Sequence, residues 1–134
     1  MQADKRLLIV DDDKIHRVIY SSIATKMNYR VDHADSPAAA DAALRAADYH
    51  AVILDLMLGE ATGLDVLALM SGLAVKPKIV LVTGASDAAI EETFETGRAF
   101  GLEMFGPVRK PVNVMLIRTV LKNLEIAGAA PTVA

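Results

Sequence analysis

The chain contains no cysteine, which excludes a disulfide framework and any thiolate metal site. Tryptophan is also absent, and aromatic residues make up only 4% of the chain, leaving no stacking platform for single-stranded nucleic acid. No apolar run approaches the roughly 18 residues that a membrane helix needs. Met1-Gln2-Ala3-Asp4-Lys5-Arg6 leads straight into a short apolar run and has no signal-peptide h-region of usual length. Basic charge is scarce too. The 14 Lys and Arg against 17 Asp and Glu give a formal net charge of −3, without the basic footprint that duplex DNA demands. Lys76-Pro77-Lys78 reads as a turn. Neither nucleic acid nor a membrane is expected as a partner, and the cytoplasm is the expected compartment.

What is present is a set of short β-branched runs, each stopping on a reactive polar residue. Leu7-Leu8-Ile9-Val10 stops on Asp11-Asp12-Asp13, Ala51-Val52-Ile53-Leu54 on Asp55, and Ile79-Val80-Leu81-Val82 on Thr83. A weaker run, Met104–Val108, stops on Arg109-Lys110-Pro111. Runs of this kind read as strands buried on both faces. In a parallel sheet their carboxyl ends share one edge, where ligands bind. With 134 residues and a hydrophobic fraction of 53%, the chain suits one globular domain.

Strands alternate with helical segments throughout. Strands are expected near Arg6–Val10, Arg30–Ala34, Ala51–Leu54, Lys78–Val82 and Leu102–Val108. Asp13, Ser36 followed by Pro37, and Ser86 or Asp87 are expected helix starts. In the first helix Ile19, Ile23 and Met27 recur at helical spacing, with Ile15 and Val18 nearby. The stretch from Leu58 to Gly63 reads as a loop before a helix carrying Leu64, Leu67 and Met70. Gly101 is a plausible helix terminator, and Pro111 is expected to open a last helix with Leu116, Val120, Leu121 and Leu124 facing in. Five βα units imply an α/β fold, a doubly wound (βα)5 sandwich around a parallel sheet ordered 2-1-3-4-5. The domain is expected over 1–127, with 128–134 as a flexible tail or the start of a linker.

That order brings Asp11, Asp12 and Asp55 to one edge. Two like charges at ~4 Å repel by ~4 kcal/mol near a protein surface, so such carboxylates want a cation, and oxygen ligands with water suit magnesium. A positioned carboxylate can also act as a nucleophile and form an aspartyl phosphate. Asp55 as nucleophile, Asp11 and Asp12 for metal, Thr83 as hydroxyl donor and Lys110 as cation would complete a phosphoryl-transfer site.

Leu8-Ile9-Val10-Asp11-Asp12-Asp13, Leu54-Asp55-Leu56-Met57-Leu58 with Gly63, Val82-Thr83-Gly84 and Lys110-Pro111 resemble, in order and spacing, the receiver domain of two-component response regulators. The resemblance spans about Arg6 to Ile126 and implies a flavodoxin-like fold. It further implies that Asp55 accepts phosphate from a phosphohistidine of a sensor kinase or phosphotransfer protein. Mg²⁺ would be held by Asp11, Asp12, Asp55 and the Met57 backbone carbonyl. Thr83 and Lys110 would bind the phosphoryl oxygens, changing the surface around helix 4, strand 5 and helix 5, a face for a homodimer or downstream output domain. Such a domain catalyses only its own phosphorylation and dephosphorylation, and the Lys110-Pro111 bond is expected to be cis.

The chain also departs from that pattern. Gly59 stands where proline is usual. Pro107 stands three residues before Lys110, where receivers carry an aromatic switch; the nearest aromatic, Phe105, keeps the same sheet face only if no bulge intervenes. Met57 and Ala85 cannot orient an attacking water, which predicts slow dephosphorylation. His16, His33 and His50 are scattered and read as surface residues, although Ile15, His16 or Ile19 would meet a kinase if the first helix turn docks one. Two other readings stay open: a pseudo-receiver that ignores phosphate, and an Asp-x-Asp phosphohydrolase with Asp11 as nucleophile and Asp13 as acid/base.

Overall fold

The structure, a computed structural model, describes residues 5–129, with side chains to Glu125. Strands β1 (Lys5–Val10), β2 (Tyr29–Ala34), β3 (Ala51–Leu54), β4 (Lys78–Thr83) and β5 (Met104–Arg109) alternate with helices α1 (Lys14–Lys26), α2 (Pro37–Ala46), α3 (Gly63–Ser71), α4 (Asp87–Ala99) and α5 (Val114–Ala129). The five strands form one parallel sheet in the order β2-β1-β3-β4-β5, as expected. The order reverses between β1 and β3, which opens a crevice at their carboxyl ends.

Sheet pleating divides the core. Leu7, Ile9, Ile53, Val80 and Val82 pack under α1 and α5, against Tyr20, Ile23, Ile117 and Leu121. Leu8, Val10, Val52, Leu54 and Ile79 pack under α2 and α3, against Leu44, Val66, Leu67 and Met70. Leu81 meets Ile90 of α4 on that second face. Burying each such side chain is worth about 1.5–3 kcal/mol, so the central strands are rigid and their ends are fixed in space.

Helix starts follow local chemistry. Asp13 caps α1, its Oδ1 accepting from Ile15 N at 2.8 Å and His16 N at 3.3 Å. Ser36 and Ser86 cap α2 and α4 through Ala39 N and Ala89 N, both at 3.2 Å. Gly101 follows α4 with φ +79°.

Several expectations need correction. Leu58–Gly63 is not a plain loop: Met57-Leu58 and Ala61-Thr62 form a two-residue antiparallel ladder closed over Gly59, whose φ of +63° suits glycine. Helix α5 begins at Val114 rather than Pro111, because Asn113 Oδ1 accepts from Leu116 N at 3.1 Å and so acts as its cap. Its inward residue in that turn is Ile117, while Leu116 is exposed. In α1 the buried residues are Tyr20, Ile23 and Ala24; Ile15 and Val18 are 71% and 57% exposed. Helix α5 is described through Ala129, and residues 130–134 of the expected tail lie outside the described residues.

Strand β5 carries a bulge. Val80 pairs with Phe105 and Val82 with Val108, so three residues of β5 span two of β4. Gly106 sits there at φ +96°, and a Cβ would lie 2.9 Å from Leu81 O. The extra residue places Phe105 and Val108 on the same face, with the α1–α5 core.

Candidate functional site

Four of the five strands, all but β2, deliver one polar group each to the crevice. Asp11 follows β1 and its N–H donates to Ala34 O at 3.1 Å. Asp55 follows β3 and its N–H donates to Val10 O at 2.9 Å. Thr83 ends β4, and Lys110 N–H donates to Thr83 O at 3.1 Å. These ladder bonds hold the four side chains in place before any ligand arrives. Asp11, Asp55 and Thr83 are buried, and Asp12 is exposed beside them.

Carboxylate oxygens of Asp11, Asp12 and Asp55 lie within 4.8 Å of one another. Lys110 Nζ reaches in from β5 to Asp55 Oδ2 at 2.7 Å and to Asp11 Oδ2 at 3.2 Å. The other Asp55 oxygen, Oδ1, accepts from Met57 N at 3.0 Å; Asp11 Oδ1 accepts from Asp13 N at 2.8 Å. Arg17 donates to Asp11 O at 2.7 Å. Burial pushes the Asp11 carboxyl above the usual range, opposed by the Asp13 N–H and by Lys110. For Lys110, burial works to lower the pKa, but pairing with Asp55 and Asp11 outweighs it and the pKa rises. Lys110 is therefore held charged, the counter-ion of an acidic cluster.

The loop after Asp55 depends on Gly63. A Cβ there would stand 2.6 Å from Asp55 O and 3.0 Å from Leu56 Cα. Only without one can α3 start against the Asp55 backbone, with Gly63 N–H donating to Leu56 O at 2.7 Å. Thr83 Oγ1 accepts from Ala85 N at 3.2 Å, so its hydroxyl proton is left to donate elsewhere. Asp12 stands near this loop as well, since a Cβ on Gly59 would lie 3.6 Å from Asp12 Oδ2. The donors are all oxygen, as a hard cation requires.

The structure brings Asp11, Asp12, Asp55 and Lys110 together and sets Thr83 at the end of the neighbouring strand. Met57 is exposed on the rim, 58% accessible. Asp13 is occupied as the α1 cap, which also holds its carboxyl below the usual range through His16 N–H and Ile15 N–H. The Lys110-Pro111 bond is cis, as expected, and Gly106-Pro107 is cis as well.

His16, expected as a surface residue or as one of the first-turn residues that would meet a kinase, lies against the site's carboxylates. Its Nδ1 lies 3.7 Å from Asp11 Oδ2 and 3.6 Å from Asp13 Oδ2. The usable signal was its place three residues after a capping aspartate, which turns it back toward the cap. Tyr20, one turn on, is fully buried with its hydroxyl unpartnered. Burial first, then the charges of Asp11, Asp55 and Asp13, raise its pKa and keep the phenol neutral.

An α/β domain wound 2-1-3-4-5, with its ionisable groups gathered where the first and third strands end, is of the flavodoxin-like receiver class. The chain belongs to the response regulator receiver domain family, whose profile matches residues 7–122. Among curated proteins it is 36% identical over 88 residues to the alginate biosynthesis transcriptional regulatory protein AlgB of Pseudomonas syringae pv. tomato, and equally to AlgB of Pseudomonas putida. Those matches cover 64% of this chain and 20% of each relative, so the chain spans about a fifth of their length. Among solved structures, a response regulator from Burkholderia pseudomallei with a phosphorylated aspartic acid, a calcium ion and citrate superposes with TM-score 0.73 at 25% identity, covering 98% of this chain and 78% of that one. A CheY-like receiver domain from Methanospirillum hungatei gives 0.77 at 23% identity over 95% and 98%. The protein is thus a receiver domain of the two-component response regulator type, a signalling domain. No helix among the described residues is long and apolar enough to cross a membrane.

Proposed function

We propose that this domain is a phosphoryl-accepting switch in which Asp55 takes phosphate from a phosphohistidine of a sensor kinase or phosphotransfer protein. The observation that carries this is the convergence of Asp11, Asp12 and Asp55 with Lys110 Nζ 2.7 Å from Asp55. Asp11, Asp12, Asp55 and the Met57 carbonyl would hold Mg²⁺, which when bound supplies positive charge for the phosphoryl oxygens. An Asp55 carboxylate oxygen attacks phosphorus, the P–N bond to the donor imidazole breaks, and its electron pair leaves with the imidazole. The Met57 N–H bond to Oδ1 fixes the Asp55 rotamer for attack. Lys110 follows the charge as it spreads onto the phosphoryl oxygens, and Thr83 donates its hydroxyl proton to one of them.

Exposed Ile15 and Val18 flank this site on α1. Val18 borders a groove of about 340 Å³ lined also by Ile19, Ile23 and Val114, which suits the phosphodonor's helix. A folded Ile15→Ala, Val18→Ala variant should accept phosphate normally from a small-molecule donor but slowly from its kinase. The phosphohydrolase reading loses support because Asp13 is engaged as a cap. The pseudo-receiver reading is weakened by the full set of polar groups.

Beryllofluoride with Mg²⁺, followed by amide NMR, tests the switch. A saturable change that disappears in Asp55→Asn supports it. No change in the wild-type domain would overturn it.

A further inference from the structure

We propose that Arg17 is a positioning residue of the proposed phosphorylation site. Through its bond to Asp11 O it fixes the Asp11–Asp12 peptide and, with it, the placement of the Asp12 carboxylate toward a bound divalent cation. The inference deepens the magnesium reading given above and rests on it.

The need for such a bond follows from how β1 ends. Asp11 stands one residue beyond the last paired residue, since the two ladders close at Val10↔Ala34 and Val10↔Leu54. Its N–H still donates to Ala34 O at 3.1 Å, but its carbonyl lies past the end of both ladders. Asp11 is fully buried, and a buried carbonyl needs a donor. Arg17 supplies one from the start of α1, its Nη1 donating to Asp11 O at 2.7 Å. A guanidinium donor makes a charge-assisted bond, stronger than one between neutral groups.

The consequence falls on Asp12. A peptide unit is planar, so fixing Asp11 O also fixes Asp12 N–H and the start of the Asp12 main chain. The Asp11 carboxylate has holders of its own, Asp13 N–H at 2.8 Å and Lys110 Nζ at 3.2 Å. Asp12 is exposed, and its carboxylate goes where its main chain aims it. Magnesium demands near-octahedral geometry, and a binding constellation tolerates only about 0.5 Å of misplacement.

Arg17 and Lys110 hold Asp11 from opposite sides. Lys110 comes from the end of β5. Arg17 comes from the β2 side, where it lines a groove of about 250 Å³ with Lys14, Val18 and His33. Burial, then the Arg17 charge, lowers the His33 pKa, which agrees with a guanidinium head beside the end of β2.

Charge and position predict opposite signs. A cation beside an acidic cluster repels a second cation, so loss of the Arg17 charge alone would tighten magnesium binding. Loss of the peptide's anchor loosens it. Arg17 is half-buried, so solvent screens its charge, whereas its bond to Asp11 O is direct; the anchor is expected to dominate.

Titration with magnesium chloride, read by calorimetry and by ¹⁵N–¹H amide shifts, tests this on the domain and two variants. Arg17→Met keeps the length of the side chain and removes the donor. Arg17→Lys keeps a charged donor for the single bond. We expect Arg17→Met to bind magnesium roughly tenfold more weakly and Arg17→Lys to stay within about twofold of the wild type. The metal-free Asp12 amide resonance should move in Arg17→Met and hold in Arg17→Lys. In the wild type, the Arg17 ¹⁵Nη signals should show hindered rotation with and without magnesium, a readout that needs no variant to fold. Unchanged or tighter magnesium binding by a folded Arg17→Met, equal weakening in both variants, or a freely rotating Arg17 guanidinium in the wild type would overturn the proposal. Failure of magnesium to bind the wild type, with the Asp12 amide response to Arg17→Met intact, would instead overturn the magnesium reading.

Discussion

Lys110 Nζ lies 2.7 Å from Asp55 Oδ2, an ion pair joining residues 55 positions apart in sequence. The lysine bridges onward to Asp11 at 3.2 Å, so one ammonium compensates two buried carboxylates. Removing it leaves both uncompensated. Lys110→Ala is expected to lower metal-free stability by about 2–3 kcal/mol, with part recovered by Mg²⁺ in urea unfolding. Unchanged stability without metal would contradict this role.

Phe105 and Thr83 face opposite sides of the sheet. Thr83 shares its side with Leu81, toward α4, whereas the bulge at Gly106 puts Phe105 with the α1–α5 core. An aromatic switch through Phe105 is therefore not built. Phe105→Leu should keep the full beryllofluoride response. Gly106→Ala, forced to adopt φ +96° against Leu81 O, should cost about 2–3 kcal/mol. Loss of the response in a folded Phe105→Leu variant would restore the aromatic route.

Met57 and Ala85 flank the site without a polar side chain to hold a hydrolytic water. The phosphorylated domain should decay over hours, and Met57→Asn should shorten its lifetime. A wild-type half-life of about a minute or less, measured by loss of label, would contradict this.

Far from the site, Tyr49 donates to Asp32 Oδ2 at 2.7 Å, which Arg6 also holds at 3.0 Å. The Tyr49 and Arg6 bonds keep the Asp32 carboxyl below the usual range. That contribution is present above the unfolded pKa near 4 and is lost as pH falls through the lowered folded value. Burial, then the bond to Asp32, pushes Tyr49 up to about 12. Its contribution is whole below the unfolded pKa of about 10 and is lost as pH rises from there to about 12. Tyr49→Phe should flatten the stability decline between those values by about 1 kcal/mol. An identical decline in wild type and variant would contradict the linkage.

The topology and the polar strand ends were legible because both follow from local pattern. Short apolar runs rich in β-branched residues and bounded by turn signals read as buried strands, and parallel strands deliver their last residues to one edge. Elements governed by single capping bonds or by one extra residue were not legible. Pro111 looked like a helix start until Asn113 proved to be the cap. The face of Phe105 hung on whether a bulge intervened before Lys110, and the bulge at Gly106 moves it to the far face. His16 stood apart from His33 and His50 only by its place in the first turn of α1, and that place did not foretell its approach to Asp11 and Asp13.

The most direct test of the central claim is to treat the domain with acetyl phosphate and Mg²⁺ and map the modified peptide by mass spectrometry. One phosphoryl group on Asp55, dependent on Mg²⁺ and absent in Asp55→Asn, is the predicted result. Phosphate on a different residue, or none on a folded, metal-loaded domain, would contradict it.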